Sequence, residues 1–253
     1  ASHVVGRSTA VTVELGDGRE LEAKVVGRDP YSDIALLKVD ASGLAPMRMG
    51  SADVKVGQFV LALANTTGKT ASATSGIVTG HRRGVRGFWG VMIEDAVVSD
   101  AKLNPGYSGG PLVDASGNLL GMNVAYFAGR GVAVSADTLK ETVEEISRDG
   151  KVKKGFLGVV VEPVELPGEI AESHEVGQDC GLLVRSVEAG SPARAAGVAL
   201  GDIILRLGDS QATNEYELHR ALSGDVAGKA VALRILRAEK AVDLKVTPRE
   251  AEF

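Results

Sequence analysis

The chain has one cysteine, Cys180, in 253 residues, so no intrachain disulfide can staple it, and cysteine usage leaves its redox compartment open. It has no excess of positive charge. The 28 Lys and Arg against 33 Asp and Glu give a formal net charge of −5, which argues against a sequence-independent grip on nucleic acid. No run approaches the ~18 consecutive apolar residues that a membrane-spanning helix needs. No signal peptide is present, but the opening Ala1-Ser2-His3 reads as the middle of a protein, so that absence decides nothing. Of the four histidines, His81, His174 and His219 have no cysteines or carboxylates at ligand spacing. They read as surface or loop residues, and no metal site is expected. Low complexity and internal repeats are also missing. What is there is a globular composition, 44% hydrophobic and 24% charged, with 32 glycines suited to a β-rich chain full of turns. The length allows two domains.

Residues 1–150 read as a first module, of which 1 to about 134 are short strands separated by turns. Thr9–Leu15 alternates and ends at Gly16-Asp17-Gly18, with Glu20–Val26 following at hairpin spacing. Ile34–Val39, Gln58–Leu63, Ala73–Thr79, Gly90–Val97, Leu112-Val113, Leu119–Val124 and Gly131–Val134 continue the pattern, which suits a barrel or a sandwich. A helix should close the region, with Ser135 as N-cap, Leu139, Val143 and Ile146 on one face, and Gly150 as its end. The basic stretch Lys151–Lys154 reads as a linker. A second module should cover residues 155–250, with strands at Phe156–Val161, Gly181–Val187, Ile203–Leu207, Ala230–Arg237 and Lys240–Val246. It should carry two helices: a short one opened by Pro192, and one over Asn214–Leu222 with Asn214 and Glu217 in a capping-box pattern.

The chemistry concentrates in Asn104-Pro105-Gly106-Tyr107-Ser108-Gly109-Gly110-Pro111. Glycines on both sides of Ser108 allow a sharp bend and a close approach of substrate. Such a bend can aim the amides of Gly106 and Ser108 at one point, where an oxyanion would form. Two further residues fit a nucleophilic site. His3 is a candidate general base. Asp33, just before the apolar run Ile34-Ala35-Leu36-Leu37, is a candidate orienting acid. The blander readings are a turn serine, an exposed terminal histidine and an Asx turn, the last fitting Asp29 beside Pro30 better than Asp33. In the second module, Phe156-Leu157-Gly158-Val159 leaves backbone amides free to cradle a terminal carboxylate. The strand that follows can then pair with a peptide, and Leu218 and Leu222 would wall its pocket.

The order His, Asp, Ser, with 30 residues from His3 to Asp33 and 75 more to Ser108, is that of the chymotrypsin class. The strings His3-Val4-Val5, Gly27-Arg28-Asp29-Pro30 through Val39, and Asn104 through Val113 resemble the HtrA/Deg family. So do Phe156-Leu157-Gly158-Val159, Gly190-Ser191-Pro192-Ala193 and Gly197 through Ile204. The resemblance implies a mostly β fold: a chymotrypsin-like double β-barrel followed by a PDZ domain, itself a β-sandwich or partial barrel with two helices. It implies an ATP-independent serine endopeptidase of protein quality control, with no cofactor and no metal. Unfolded proteins would be its substrates, and peptide C-termini would be held at the PDZ groove. A homotrimer in the bacterial cell envelope would be its setting, with no nucleic-acid partner. Leu103 would help floor the primary specificity pocket, with Val124–Gly131, including Tyr126, as the opposite wall. Lys102 is either a pocket lysine or solvent-exposed.

Two departures from the family stand out. Tyr107 replaces the usual Asn, with a side chain expected to point away from the nucleophile. Only two residues precede His3, where a chymotrypsin-like fold places about two strands, so the chain reads as N-terminally truncated. Those departures leave a second reading open, a catalytically silent peptide-binding scaffold or chaperone-like module. The cluster Arg82-Arg83-Gly84-Val85-Arg86 reads as a solvated loop, with contact to a PDZ domain or a neighbouring subunit as the alternative.

Overall fold

The computed structural model describes residues 1–50, 53–66, 70–86, 92–166, 168 and 178–251. His174 lies outside the described residues. The chain divides into two compact units, Ala1–Val152 and Lys153–Phe253.

The first unit opens with the single turn α1 (Ser2–Val5), then β1 (Ala10–Glu14), β2 (Glu20–Asp29) and β3 (Ile34–Val39), an antiparallel sheet in that order. The β1–β2 turn is closed by Asp17, whose carboxylate accepts the Arg19 amide at 3.1 Å, so a short polar side chain does the work of a backbone partner. The Arg28 guanidinium on β2 donates to the carbonyls of Gly6 and Ser8 and ties the segment after α1 to the sheet.

Six strands then close a barrel: β4 (Phe59–Ala64), β5 (Ser72–Arg86), β6 (Met92–Ser99), β7 (Pro111–Val113), β8 (Leu119–Phe127) and β9 (Arg130–Ser135), in the order β4-β5-β6-β9-β8-β7. Alternation on β4 sends Val60, Ala62 and Ala64 inward, where they meet Val78, Val97, Leu112, Leu120 and Ala133. A second cluster joins Ile93, Ala96, Val98, Val132 and Val134 of the barrel to Ile34 of β3. The basic cluster is not a loop as expected. Arg82, Arg83 and Arg86 lie on β5, because β6 supplies cross-strand partners that continue its ladder, Arg82 opposite Ala96 and Arg83 opposite Asp95. His81, which looked isolated in the sequence, meets Asp95 through Nε2 at 2.8 Å. Separation along the chain hides such a pair; only the strand register reveals it.

Helix α2 (Ala136–Asp149) closes the unit. Ser135 accepts the Thr138 amide at 3.2 Å, and Gly150, at φ 75°, turns its N–H back to the Ile146 carbonyl. Gly27, at a bulge of β2, lets α2 approach. A Cβ there would lie 2.5 Å from both the Gly150 carbonyl oxygen and Ile146 Cγ2.

In the second unit β10 (Gly155–Phe156), β11 (Val159–Glu165), β12 (Cys180–Val187), α3 (Pro192–Ala195), β13 (Ile203–Leu207), β14 (Ser210–Gln211), α4 (Glu215–Ala221), β15 (Val231–Arg237), β16 (Lys240–Val246) and β17 (Arg249–Glu250) follow in order. The main sheet runs β11-β12-β13-β15-β16, with β14 on β13, and β10 pairs β17. Its core gathers Leu157, Leu182, Val184, Val198, Ile204, Leu207, Leu218, Leu222, Leu233, Ile235 and Val246. The capping box is a variant. Asn214 accepts the Glu217 amide at 3.0 Å, but the Glu217 carboxylate returns to the amide and hydroxyl of Thr213, one residue before the cap. Lys154 is not free linker: it is buried and bridges Ser223. Asp202 is buried and bidentate to Arg237 at 2.7 Å, and it also accepts the Ala199 amide. That pairing holds the Arg237 guanidinium above its ordinary range.

Replacing Gly27 with Ala should force β2 and α2 apart, since one of the two atoms it meets is rigid backbone. The expected cost is about 1–3 kcal/mol, as for other overpacked sites, a fall of roughly 3–10 °C in the melting temperature of the first unit. Gly16→Ala, where the added Cβ meets nothing within 4 Å, should leave it unchanged in the same calorimetric scan.

Candidate functional site

Asp33 ends the turn that joins β2 to β3. The turn is built by Asp29, whose carboxylate accepts the Tyr31 amide at 3.1 Å and the Ser32 hydroxyl at 2.5 Å. This leaves Asp33 at φ 60°, a left-handed conformation that Asp tolerates better than most residues. The carboxylate is thereby directed at α1. Oδ1 accepts the His3 amide at 2.8 Å, Oδ2 meets His3 Nδ1 at 2.6 Å, and the Asp33 carbonyl accepts the Ser2 amide at 2.8 Å. A carboxylate can only accept here, so Nδ1 carries the proton and Nε2 is left as the basic nitrogen. Burial differs across the pair: the Asp33 side chain is 5% exposed and the His3 ring 46%. One partner is held rigidly while the other reaches toward solvent, where a substrate would lie.

Ser108 sits in the loop that leads into β7. The loop is locked to β8 by Asn123: its carbonyl accepts the Gly109 amide at 2.7 Å, its amide donates to Gly110, and its side chain donates to the Pro111 carbonyl. Gly109 has no room for a side chain, because a Cβ would lie 2.7 Å from the backbone nitrogen of Ala1. The segment bearing His3 therefore lies against the nucleophile loop. Within the loop the Tyr107 carbonyl accepts the Gly110 amide at 2.9 Å, and a planar trans peptide then turns the Ser108 N–H the opposite way. Among the described residues the amides of Gly106 and Ser108 have no acceptor. The Ser108 hydroxyl reaches the Val124 carbonyl at 3.5 Å and makes no hydrogen bond to His3. The Tyr107 side chain is buried in the barrel core with Val60 and Leu112, away from Ser108.

Leu103 is half-buried against the barrel core, and Tyr126 is exposed on β8. Gly131 stands between them. It is the cross-strand partner of Tyr126, and a Cβ on it would lie 3.2 Å from Leu103 Cγ. Lys102 is exposed, with its carbonyl accepting the Thr74 hydroxyl at 2.7 Å. Phe127 is exposed near the tip of the β8–β9 hairpin. Val124 and Gly131 lie at the two ends of the expected wall, whereas Asn123 was missed in the sequence.

In the second unit, the loop Phe156–Val159 is shaped by its carbonyls. Leu157 accepts from Ala193 at 3.0 Å and Gly158 from Glu188 at 2.9 Å, which turns the Gly158 and Val159 amides away from those partners. Gly158, at φ 78°, has no space for a Cβ beside Ser191. Leu157, Leu218 and Leu222 are buried together in the core, with Val159 packed partly against it. Phe156 carries the Arg249 guanidinium over its ring at 4.5 Å.

A trypsin-like peptidase domain family matches residues 1–122, and a PDZ domain family matches residues 155–247. A probable periplasmic serine endoprotease DegP-like of Chlamydia trachomatis serovar D is 33% identical over 252 residues, covering 97% of this chain and 50% of that protein. The protein of the same name from Ectopseudomonas mendocina is 35% identical, covering 97% of this chain and 52% of its own. The chain thus spans about half the length of the curated relatives it matches. The structure of the HtrA-type protease AlgW with a decapeptide superposes with a TM-score of 0.81 at 33% identity, covering 100% of this chain and 78% of that one. With a closed barrel carrying the serine loop, a histidine–aspartate pair beside it and a PDZ unit behind it in sequence, the chain belongs to the HtrA-type proteases.

Proposed function

We propose that the protein is a serine endopeptidase in which Ser108 is the nucleophile, His3 the general base and Asp33 the residue that orients the base. The observation that carries this reading is the 2.6 Å contact of Asp33 Oδ2 with His3 Nδ1, beside a glycine loop whose Gly106 and Ser108 amides have no acceptor among the described residues. Ser108 Oγ attacks the scissile carbonyl, and His3 Nε2 takes its proton and returns it to the leaving amine. Asp33 keeps the imidazole in the tautomer that can do so, and the two amides receive the oxyanion. Reaching His3 requires a rotation of the Ser108 hydroxyl away from Val124. None of these steps draws on ATP. The Leu103 and Tyr126 surroundings of Gly131 suit a small to medium aliphatic residue on the acyl side of the cut.

The substrates are unfolded or misfolded proteins, in a role of protein quality control. The assembly is a homotrimer in the bacterial cell envelope, a setting in keeping with the word periplasmic in the relatives' names. The second unit binds peptide C-termini. The free carboxylate lies on the amides of the Phe156–Val159 loop, the peptide backbone lies along β11, and the terminal side chain lies over Leu218 and Leu222. The decapeptide in the AlgW structure supports a peptide-binding role. A catalytically silent scaffold is the second reading, favoured by the contact of Ser108 with Val124 in place of His3.

Ser108→Ala in the intact protein should abolish casein cleavage, by about a thousandfold or more, while leaving the melting curve unchanged. Cleavage near the parental rate would sink the nucleophile assignment, and parental cuts mapped after Arg, Lys, Asp or Glu would sink the aliphatic pocket. For the second unit, amidating the C terminus of an apolar peptide removes a charge-assisted hydrogen bond of about 1.5–3 kcal/mol, so affinity should fall roughly ten- to a hundredfold. Equal calorimetric affinities for the free acid and the amide would show that the loop is not a carboxylate site.

A further inference from the structure

Among the described residues β11 is the free edge of the main sheet, paired with β12 alone. Two bonds fix which of its residues face β12. The Gly158 carbonyl accepts from Glu188 at one end, and the Leu166 amide donates to Asp179 at the other. Between them the register runs from Val159 opposite Val187 to Glu165 opposite Cys180. Its single irregularity leaves Arg185 unpaired on β12, so the alternation along β11 is unbroken. In an antiparallel pair each residue turns both its N–H and its C=O to the same side, and its neighbour turns both to the other. The Gly158 carbonyl and the residues Val160, Glu162, Val164 and Leu166 thus face β12. Val159, Val161, Pro163 and Glu165 face the open edge.

A peptide added antiparallel to this edge, with its carboxylate on the loop amides, puts its last residue opposite Val159. Its third-last lies opposite Val161 and its fifth-last opposite Pro163. Val161 offers both an N–H and a C=O. Pro163 offers only a C=O, and its ring carbon occupies the place where a donor would stand. We infer that Pro163 ends the strand this edge can add, so that the groove grips the last four residues of a partner's free C terminus and does not pair with the chain before them. The inference rests on the proposed carboxylate site.

The test uses the Ser108→Ala chain, which leaves peptides uncut, and calorimetric titration with N-acetylated, free-acid peptides of three, five and eight residues ending in the same apolar residues. Lengthening from five to eight should change affinity less than about twofold. Pro163→Ala restores the missing donor. It should tighten binding of the eight-residue peptide about two- to tenfold, the worth of one hydrogen bond, and leave the three-residue peptide unchanged. The last result also shows that the variant is folded. A wild-type affinity that rises more than fivefold from five residues to eight overturns the inference, as does a Pro163→Ala chain that treats all lengths as wild type does. If none of the free-acid peptides binds, the carboxylate reading falls and this inference with it.

Discussion

The first unit turns on one carboxylate. Asp33 is buried, and through its two carboxylate oxygens and its carbonyl it holds the amides of Ser2 and His3 and the His3 ring. Without that clamp nothing in the four-residue turn α1 would fix the imidazole, because a helix this short has no stability of its own. The clamp depends in turn on Asp29. By satisfying the amide of Tyr31 and the hydroxyl of Ser32, it shapes the turn that brings Asp33 to a positive φ. Two aspartates four residues apart thus divide the work, one building the turn and the other orienting the base.

The nucleophile loop is prepared by a different device. Its rigidity comes from Asn123 and from the burial of Tyr107, which anchors the middle of the loop in the barrel core. A large aromatic at that position adds apolar burial to a glycine-rich loop, and it leaves the Ser108 side free. The same logic recurs at Phe156–Val159. The Leu157 side chain enters the core, carbonyls are engaged inward, and amides are left pointing outward. In both places a backbone donor is made available by satisfying the opposite end of its peptide plane.

Much of this was legible in the sequence because the signals were local. The Ser135 and Asn214 caps, the Gly150 stop, the alternation on β4 and the glycine-lined Ser108 loop each depend on residues within a few positions of one another. What was not legible depended on register. The pairing of His81 with Asp95, the extension of β5 through Arg86 and the role of Asn123 all arise from strands brought side by side. Lys154 shows the same limit: its charge suggested a linker, but a bridge to Ser223 draws it under cover. Pro163 was visible as a residue and silent as a signal until the bonds at Gly158 and Leu166 showed which way its nitrogen faces.

The central claim is that His3, Asp33 and Ser108 act as one catalytic unit. The most direct measurement is covalent labelling of the intact protein by a fluorophosphonate, with the modified residue located by peptide mass mapping and the labelling rate compared across His3→Ala and Asp33→Asn. The account predicts that Ser108 carries the label and that either substitution slows labelling by at least about a hundredfold, since loss of base or tautomer leaves the hydroxyl unactivated. Wild-type protein that leaves Ser108 unmodified, or labelling as fast without His3 as with it, would contradict the account.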